Sequence, residues 1–388
     1  MKVPFLDLKA QYATIRDELR SAVDEVLESQ RFILGPQVAA LEQDVARFCH
    51  VPYAVGVASG TDALLLSLKA LGVGQGDGVV TVPFTFFATA GAIANLGARP
   101  IFVDIEDASF TMDPKALELL LEQGCSAGPS SRRAHLQSRA TVKAVIVVQL
   151  FGQCADMDAV LRIAGRHSIP VVEDSCQAIG ARFRDKPAGS MGALGCFSFF
   201  PSKNLGGAGD GGMVVSGDKD LSDRVRLLRT HGAQPQYFHK IVGFNSRLDE
   251  IQAAILRVKL RHLERWSKAR QKIAGEYKRK FQTADLLDRI ALPEVLPNRV
   301  HVFHQFVIRC QRRDELRSFL SERGIETEIY YPVPLHEQEC FRYLGYQPSD
   351  FPQAHAASRQ ALALPIYPEL TGEQIDCVVS TIAELLAG

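Results

Sequence analysis

The pattern of apolar and polar positions changes character about two-thirds of the way along the chain. Near the start, Ile15, Leu19, Val23, Val26 and Leu27 recur at helical spacing, which predicts a helix from about Ile15 to Leu27. A second helix is predicted from about Val38 to Phe48, after the breaker Gly35-Pro36. Strands and helices then alternate. Tyr53–Val57, Val79–Val82, Ile101–Val103, Val142–Gln149 and Pro170–Glu173 read as strands. Ala63–Leu71, Thr89–Leu96 and Met157–His167 read as the helices between them. The strands are short, unbroken and rich in Val and Ile, which suits a parallel sheet covered on both faces. No fixed-period repeat is present, so a solenoid is not expected.

Past Met213–Val215 the rhythm changes. Leu248 to about Phe281 is one long helical run with Ile251, Ile255, Val258, Leu260 and Leu263 on its apolar stripe. After Pro293 and Pro297 comes an α+β stretch: strand His304–Ile308, helix Glu315–Arg323, strand Glu326–Ile329 and helix Gly372–Leu386. At roughly 150 residues per domain the length suits two or three domains. The pattern divides it into a large domain, 1–250, and a long connecting helix with a small C-terminal domain, 251–388. Residues 1–30 are candidates to pack on the small domain. Gly124–Thr141 breaks the alternation with Ser130, Ser131, Arg132, Arg133 and Arg139 and hardly an apolar residue. A solvated loop explains it better than a basic RNA-binding loop does.

Charge and cysteine content narrow the function classes. The 388 residues carry 44 Lys plus Arg against 44 Asp plus Glu, a formal net charge of zero. That balance argues against a nucleic-acid or anionic-membrane surface. The longest apolar runs are strand-like, such as Val145–Val148, so no membrane span is expected. Met1–Leu8 shows no signal-peptide core. Eight Cys, with no Cys-x-x-Cys pair, argue against a disulfide scaffold, a zinc knuckle or a redox motif. No metal site is expected. Cys176 and Cys196 read as small core hydrophobes, and the setting as reducing and cytoplasmic.

Four features near predicted strand ends carry candidate chemistry, at the edge where open α/β sheets bind ligands. In Ala58-Ser59-Gly60-Thr61-Asp62, small and hydroxyl residues at a helix start leave backbone N–H groups for a phosphate; an ordinary N-cap is the alternative. In Glu173-Asp174-Ser175-Cys176-Gln177, a carboxylate at a buried strand end calls for a cation or donors, such as a protonated heterocyclic nitrogen; Asp174 as a helix cap is the rival. From Ser198 to Gly212, Lys203 follows an apolar run and precedes five glycines within seven residues. Desolvation would make it a Schiff-base nucleophile, and the glycines would let backbone pass close to a flat ligand. A P-loop has its glycines before the lysine, so that order does not fit, and a plain surface lysine is the bland alternative. In Pro83-Phe84-Thr85-Phe86-Phe87-Ala88-Thr89, three aromatics could stack on a ring or simply pack in the core.

Taken in order, these motifs resemble the fold-type I pyridoxal-phosphate enzymes, and within them the DegT/DnrJ/EryC1/StrS sugar aminotransferases. The resemblance runs from Phe5-Leu6-Asp7-Leu8 to Leu364-Pro365-Ile366-Tyr367-Pro368. It rests on Ser59-Gly60-Thr61-Asp62-Ala63-Leu64, Gly152-Gln153-Cys154-Ala155-Asp156-Met157, Glu173-Asp174 and Pro201-Ser202-Lys203-Asn204-Leu205-Gly206. It implies an α/β fold: a mostly parallel central sheet with helices on both faces, plus a smaller α+β C-terminal domain. It implies pyridoxal 5'-phosphate, alternating with pyridoxamine phosphate, as cofactor. Lys203 is then the Schiff-base lysine and proton shuttle, Asp174 the partner of the pyridinium nitrogen, and Gln177 a donor to the ring's phenolic oxygen. Phe86 stacks on the ring, and Gly60, Thr61 and Ser198 hold the phosphate. Asn245, in Gly243-Phe244-Asn245-Ser246-Arg247, reaches the phosphate of the neighbouring subunit in a homodimer with shared sites. Arg229, His231, Tyr331 and His336 lie in segments that contact substrate in relatives.

The implied reaction is ping-pong transfer of an amino group from L-glutamate to a keto group of a nucleotide-linked sugar, in amino-sugar biosynthesis. Lys203-Asn204-Leu205-Gly206 with Gly209-Asp210-Gly211-Gly212 resembles enzymes acting on 3-keto sugars. The alternatives are a 4-keto sugar, an aminocyclitol ketone, or a non-catalytic cofactor- or sugar-nucleotide-binding regulator. Ser175-Cys176 stands where relatives usually carry Ala-Ala, and the 124–141 insertion is longer than usual. A dehydratase offshoot carries His at the lysine position, which Lys203 argues against.

Overall fold

The computed structural model describes residues 1–123 and 141–386. The insertion at 124–141 therefore lies, apart from Thr141, outside the described residues.

Helix starts are set by side-chain caps. α1 (Leu8–Ser29) begins seven residues before the Ile15 that opens its apolar stripe, because the Asp7 carboxylate accepts the Ala10 N–H. Pro36 opens α2 (Pro36–Phe48) instead of breaking the chain; at the first helical position its missing N–H costs nothing. Ser59 Oγ accepts the Asp62 N–H and starts α3 (Gly60–Ala70). α4 (Ala88–Asn95), α5 (Pro114–Gln123), α6 (Met157–Arg166) and α7 (Lys219–Leu228) follow, the last two capped by Asp156 and Asp218. α5 and α7 are helices beyond those predicted from the sequence, although Leu117, Leu120 and Leu121 in the first and Leu221, Val225 and Leu228 in the second stand at helical spacing.

The strands between them are β1 (Tyr53–Val57), β2 (Gly78–Thr81), β3 (Arg99–Phe102), β4 (Val142–Val148), β5 (Val171–Asp174), β6 (Arg182–Phe183), β7 (Lys186–Pro187), β8 (Leu194–Ser198) and β9 (Gly212–Ser216). Seven form one sheet in the order β1-β9-β8-β5-β4-β2-β3. The pairs from β3 to β8 are parallel, and β9 runs antiparallel to both β8 and β1. The segment between β8 and β9 contains no crossover helix, so the chain turns straight back and reverses β9. In β4, Val145 and Val147 enter one core cluster while Ala144 and Ile146 enter another, which is a sheet covered on both faces.

α8 (Glu250–Thr283) is the long helix. Its first half packs on α1 through Ile255, Val258 and Trp266 against Ile15 and Leu19. Its second half enters the C-terminal core, where Ile273, Tyr277 and Phe281 meet Leu316, Ile375 and Val378. That core is built on the antiparallel strands β10 (Ile290–Ala291), β12 (Phe306–Cys310) and β13 (Ala361–Leu364), with α9 (Arg313–Glu322) and α11 (Gly372–Leu386), whereas α10 (Pro352–Gln360) packs Ala354 and Ala357 into the core of the main sheet. β11 (Arg299–Val300) instead joins β6 and β7 in a small separate sheet. Val3 belongs to the C-terminal core and bridges Ile325.

Two expected strands differ. Glu326–Ile329 is not a strand: Ile325 meets Val3 and Glu328 meets Ala363, single bridges to different partners, so no ladder propagates. The strand expected from His304 starts at Phe306, because the preceding backbone bonds elsewhere, Val302 N–H to Gly152 O at 2.9 Å and Gln305 N–H to Phe151 O at 3.3 Å. Among the described residues no helix is long and apolar enough to cross a membrane.

One buried ion cluster ties the outer strand β1 to its helices. Glu42 of α2 accepts Arg229 at 2.6 Å, Arg226 at 2.7 Å and the Gly56 N–H at 2.9 Å. Arg226 and Arg229 donate in turn to Ala54 O and Gly56 O of β1. Glu42→Ala leaves the Arg229 guanidinium buried without its carboxylate and is expected to lower the unfolding free energy by about 3 kcal/mol in denaturant titration. A loss below about 1 kcal/mol would mean that the cluster does not anchor the strand.

Candidate active site

Parallel strands β4, β5 and β8 end together, at Val148, Asp174 and Ser198, on a cavity of about 650 Å³. The start of α3 brings Ser59, Gly60 and Thr61 to it, and the loop after β2 brings Thr85, Phe86 and Phe87. The loop after β5 adds Cys176 and Gln177, and the loop after β8 adds Phe200, Ser202 and Lys203. His304, Gln305, Tyr330 and Tyr331 close it from the C-terminal half.

Strand alternation separates two adjacent carboxylates. Glu173 points away from the cavity and accepts the N–H groups of Gly189 (2.9 Å), Met191 (2.6 Å) and Gly192 (2.7 Å), plus the Gln149 amide (2.8 Å). Burial pushes its carboxyl up, against those donors. Asp174 points into the cavity. Its Oδ2 accepts from Thr89 Oγ1 at 2.8 Å and its Oδ1 from the Cys176 N–H at 3.3 Å.

Lys203 lies in the reversal between β8 and β9, its backbone N–H bonded to Phe200 O at 2.8 Å. The residue is half-buried because it lines an open cavity, but the amine is enclosed, and burial lowers its pKa. Asp174 and Cys176 oppose that shift. The glycines after Lys203 do a different job from the one the sequence suggests. A Cβ on Gly206 would stand 2.2 Å from Pro201 O, and one on Gly212 2.2 Å from Ser59 O. They let the backbone fold on itself, rather than lie against a ligand. α8 clamps the same loop: Lys259 Nζ donates to Gly206 O at 2.7 Å, and Gln252 accepts the Ala208 N–H at 2.8 Å.

The α3 start forms a close cradle. A Cβ on Gly60 would meet Ser198 Cβ at 2.6 Å and Cys176 Sγ at 3.0 Å, so bare backbone faces the cavity there. Cys176 is thus a cavity residue and not the core hydrophobe expected; burial raises its thiol pKa well above normal. Cys196 is in the core, near Ser67 Oγ. Gln177 Nε2 donates to Tyr331 OH at 2.8 Å, and its Oε1 accepts the Phe151 N–H at 2.9 Å. Phe86 is 55 % exposed, its ring 6.2 Å from that of Tyr331.

Lys203, Asp174, Gln177, Ser198, Gly60, Thr61, Phe86 and Tyr331 therefore share one cavity. Arg229, His231 and His336 do not reach it, and Asn245, expected at the neighbouring subunit's phosphate, does not line the cavity of its own chain. Arg229 is held by Glu42 beneath β1. His231 is exposed, its backbone bonded to Phe244 O. His336 is buried edge-on to Phe351, with ring centroids 4.8 Å apart, although its neighbour Leu335 does line the cavity. Asn245 is exposed and bridges Thr230, away from its own chain's cavity. The structure adds Thr85, Thr89, Asn204 and His304. The Thr pair, four apart at a helix start, is a signal the sequence does carry. His304, whose Nδ1 lies 3.2 Å from Asn204 Oδ1, has none, because its partner is a hundred residues away. Burial holds its ring well below the usual histidine range.

A buried amine, a carboxylate facing it and a helix N-terminus stripped of side chain fit a flat, phosphate-bearing aldehyde with a protonated ring nitrogen, which is pyridoxal phosphate. The DegT/DnrJ/EryC1/StrS aminotransferase family model matches residues 13–383. A curated relative from Geobacillus stearothermophilus, named a pleiotropic regulatory protein, is 46% identical over 99% of this chain and 98% of its own. The UDP-N-acetyl-3-dehydro-alpha-D-glucosamine 3-aminotransferase of Acidithiobacillus ferrooxidans is 42% identical over 100% of this chain and 98% of its own. The crystal structure of Streptomyces venezuelae DesV in complex with a ketimine intermediate superposes with a TM-score of 0.91 at 41% identity, covering 99% of this chain and 98% of that one. By motif, fold and relatives alike, the chain belongs to the DegT/DnrJ/EryC1/StrS aminotransferase family and is a pyridoxal-phosphate-dependent aminotransferase.

Proposed function

We propose that this enzyme transfers the amino group of L-glutamate to the 3-keto group of a nucleotide-linked sugar. The observation that carries the reading is the grouping of Lys203, Asp174 and the Gly60 cradle in one cavity of a chain that matches a UDP-sugar 3-aminotransferase along its whole length. Pyridoxal phosphate supplies the carbonyl and the electron-withdrawing ring that let an amino group pass between two carbon skeletons. Backbone N–H groups at Gly60 and Thr61, with the Ser198 hydroxyl, would hold its phosphate. Asp174 would pair with the ring nitrogen, Gln177 would offer its second amide hydrogen to the phenolic oxygen, and Phe86 would cover one face. Lys203 Nζ would anchor the cofactor and would serve as the proton carrier at the reacting carbons, a role that its burial-lowered pKa supports. Tyr331 stands at the substrate side.

Within the same reading the enzyme is a homodimer, and Asn245 serves the partner's phosphate site. Support comes from the segment before it, which exposes Tyr237 by 82 %, Phe238 by 69 % and Val242 by 90 %. The chain divides into a cofactor domain, 1–250, and a connecting helix with small domain, 251–388. The described cysteines are free thiols, which supports a cytoplasmic setting. The name of the Geobacillus relative favours a second reading, a regulator that binds cofactor without transferring amines; the complete Lys203, Asp174 and Gln177 set weighs against it.

Three outcomes test this reading. Cofactor-loaded protein is expected to show a visible absorption band that is lost in Lys203→Ala under conditions that strip noncovalently held cofactor, with transfer activity down at least about a thousandfold. A protein that never shows the band refutes the lysine assignment. In a panel of 3-keto and 4-keto nucleotide sugars and inososes with glutamate, only the 3-keto sugars are expected to be aminated. Turnover of another class alone would move the reading to it, and cofactor binding with no turnover at all would establish the regulator. Mixed dimers of Lys203→Ala and Asn245→Ala chains are expected to regain about a quarter of wild-type activity, since half of the dimers carry one intact site. No recovery above the single variants would mean that Asn245 does not act across the interface.

A further inference from the structure

Beside Asp174 lie two hydroxyl groups, Thr85 in the cavity lining and Thr89 outside it, to which the proposed function gives no part. Thr89, on the first turn of α4, is fully buried and its Oγ1 lies 2.8 Å from Asp174 Oδ2. Thr85, in the loop before that helix, is 2 % exposed, and its Oγ1 lies 3.1 Å from Thr89 Oγ1. A carboxylate can only accept, so the single Thr89 proton goes to Asp174. The Thr89 oxygen is then left to accept the Thr85 proton. The two bonds form one directed chain, Thr85 to Thr89 to Asp174. Oδ1 is held separately by the Cys176 N–H at 3.3 Å. A donor on each oxygen restricts rotation of the carboxylate, which itself lines the cavity.

We propose that Thr85 and Thr89 are positioning residues that orient Asp174 toward the cofactor's ring nitrogen. The proposal rests on the role given to Asp174 above. A bond from a neutral hydroxyl to an ionised acceptor is stronger than one between neutral groups, and the second hydroxyl polarises the first. Two Thr side chains four residues apart at the start of a helix let a loop and a helix deliver both hydroxyls to the same strand end.

The test is binding of pyridoxamine phosphate to cofactor-free protein, because that ligand forms no covalent bond with Lys203. Its Kd is read by fluorescence titration, alongside the melting temperature of the cofactor-free chain. Thr89→Val, close to isosteric, is expected to raise Kd about tenfold with little change in melting. Thr89→Ser, which keeps the hydroxyl, is expected to restore Kd to within about twofold of wild type. Thr85→Val, which removes only the outer bond, is expected to raise it about threefold. In an Asp174→Ala background Thr89→Val is expected to add nothing. An unchanged Kd in Thr89→Val, or an effect that persists undiminished without Asp174, overturns the proposal. If Asp174→Ala itself leaves Kd unchanged, the role of Asp174 falls, and the relay with it. If Thr89→Val does not fold, Thr85→Val decides, and an unchanged Kd there overturns the proposal.

Discussion

A carboxylate and a primary amine facing each other at the end of a buried parallel sheet are costly to hold without water. Much of the surrounding structure answers that cost. Asp174 receives a hydroxyl and a backbone N–H, and Lys203 sits within reach of its charge. Glu173, one residue earlier and on the opposite face, takes four N–H donors, three of them from the turn Gly189–Gly192. The strand alternation that sends Asp174 to the cavity forces Glu173 into the core. The loop that satisfies Glu173 leads directly into β8, and so toward Lys203.

The reversed strand β9 follows from the same need. Lys203 must stand beside Asp174, and the tight return between β8 and β9 puts it there without a crossover helix. Gly206 and Gly212 make the return possible, since their missing Cβ atoms admit carbonyl oxygens at distances no side chain tolerates. Closing the return brings Gly212 against Ser59, the residue that caps α3. Thus the amine, the cradle at Gly60 and the outer strand β1 are mechanically one unit, and the Glu42 ion cluster pins it from behind.

The C-terminal half does more than flank the cavity. Tyr331 takes a hydrogen from Gln177, Asn204 bonds Val302 O, and Arg270 of α8 donates to Phe303 O at 3.1 Å and Ile366 O at 2.8 Å. Each of these bonds joins a side chain near the cofactor site, or the long helix beneath it, to backbone or side chain of the C-terminal segment. The position of α8 under both halves explains why one helix carries Lys259 and Gln252 to the lysine loop and Tyr277 and Phe281 to the second core.

Local sequence determined most of the elements and the chemistry near them. Unbroken Val and Ile runs specify strands buried on both faces, and residues such as Ser59, Asp174, Gln177 and Lys203 sit at strand ends or in the loops that follow because their chain neighbours put them there. Tertiary structure decided whatever depends on a partner distant in the chain. The Arg229 side chain looks the same in sequence whether it meets a substrate or Glu42, and 187 residues separate it from the carboxylate that claims it. Cys176 reads as apolar until Gly60 opens space beside it, and Glu326–Ile329 reads as a strand until its two neighbours prove to be different segments. Periodicity and caps act over a few residues and are visible in the chain itself. Pairing, burial and the direction in which a cavity opens are set by contacts that exist only after folding.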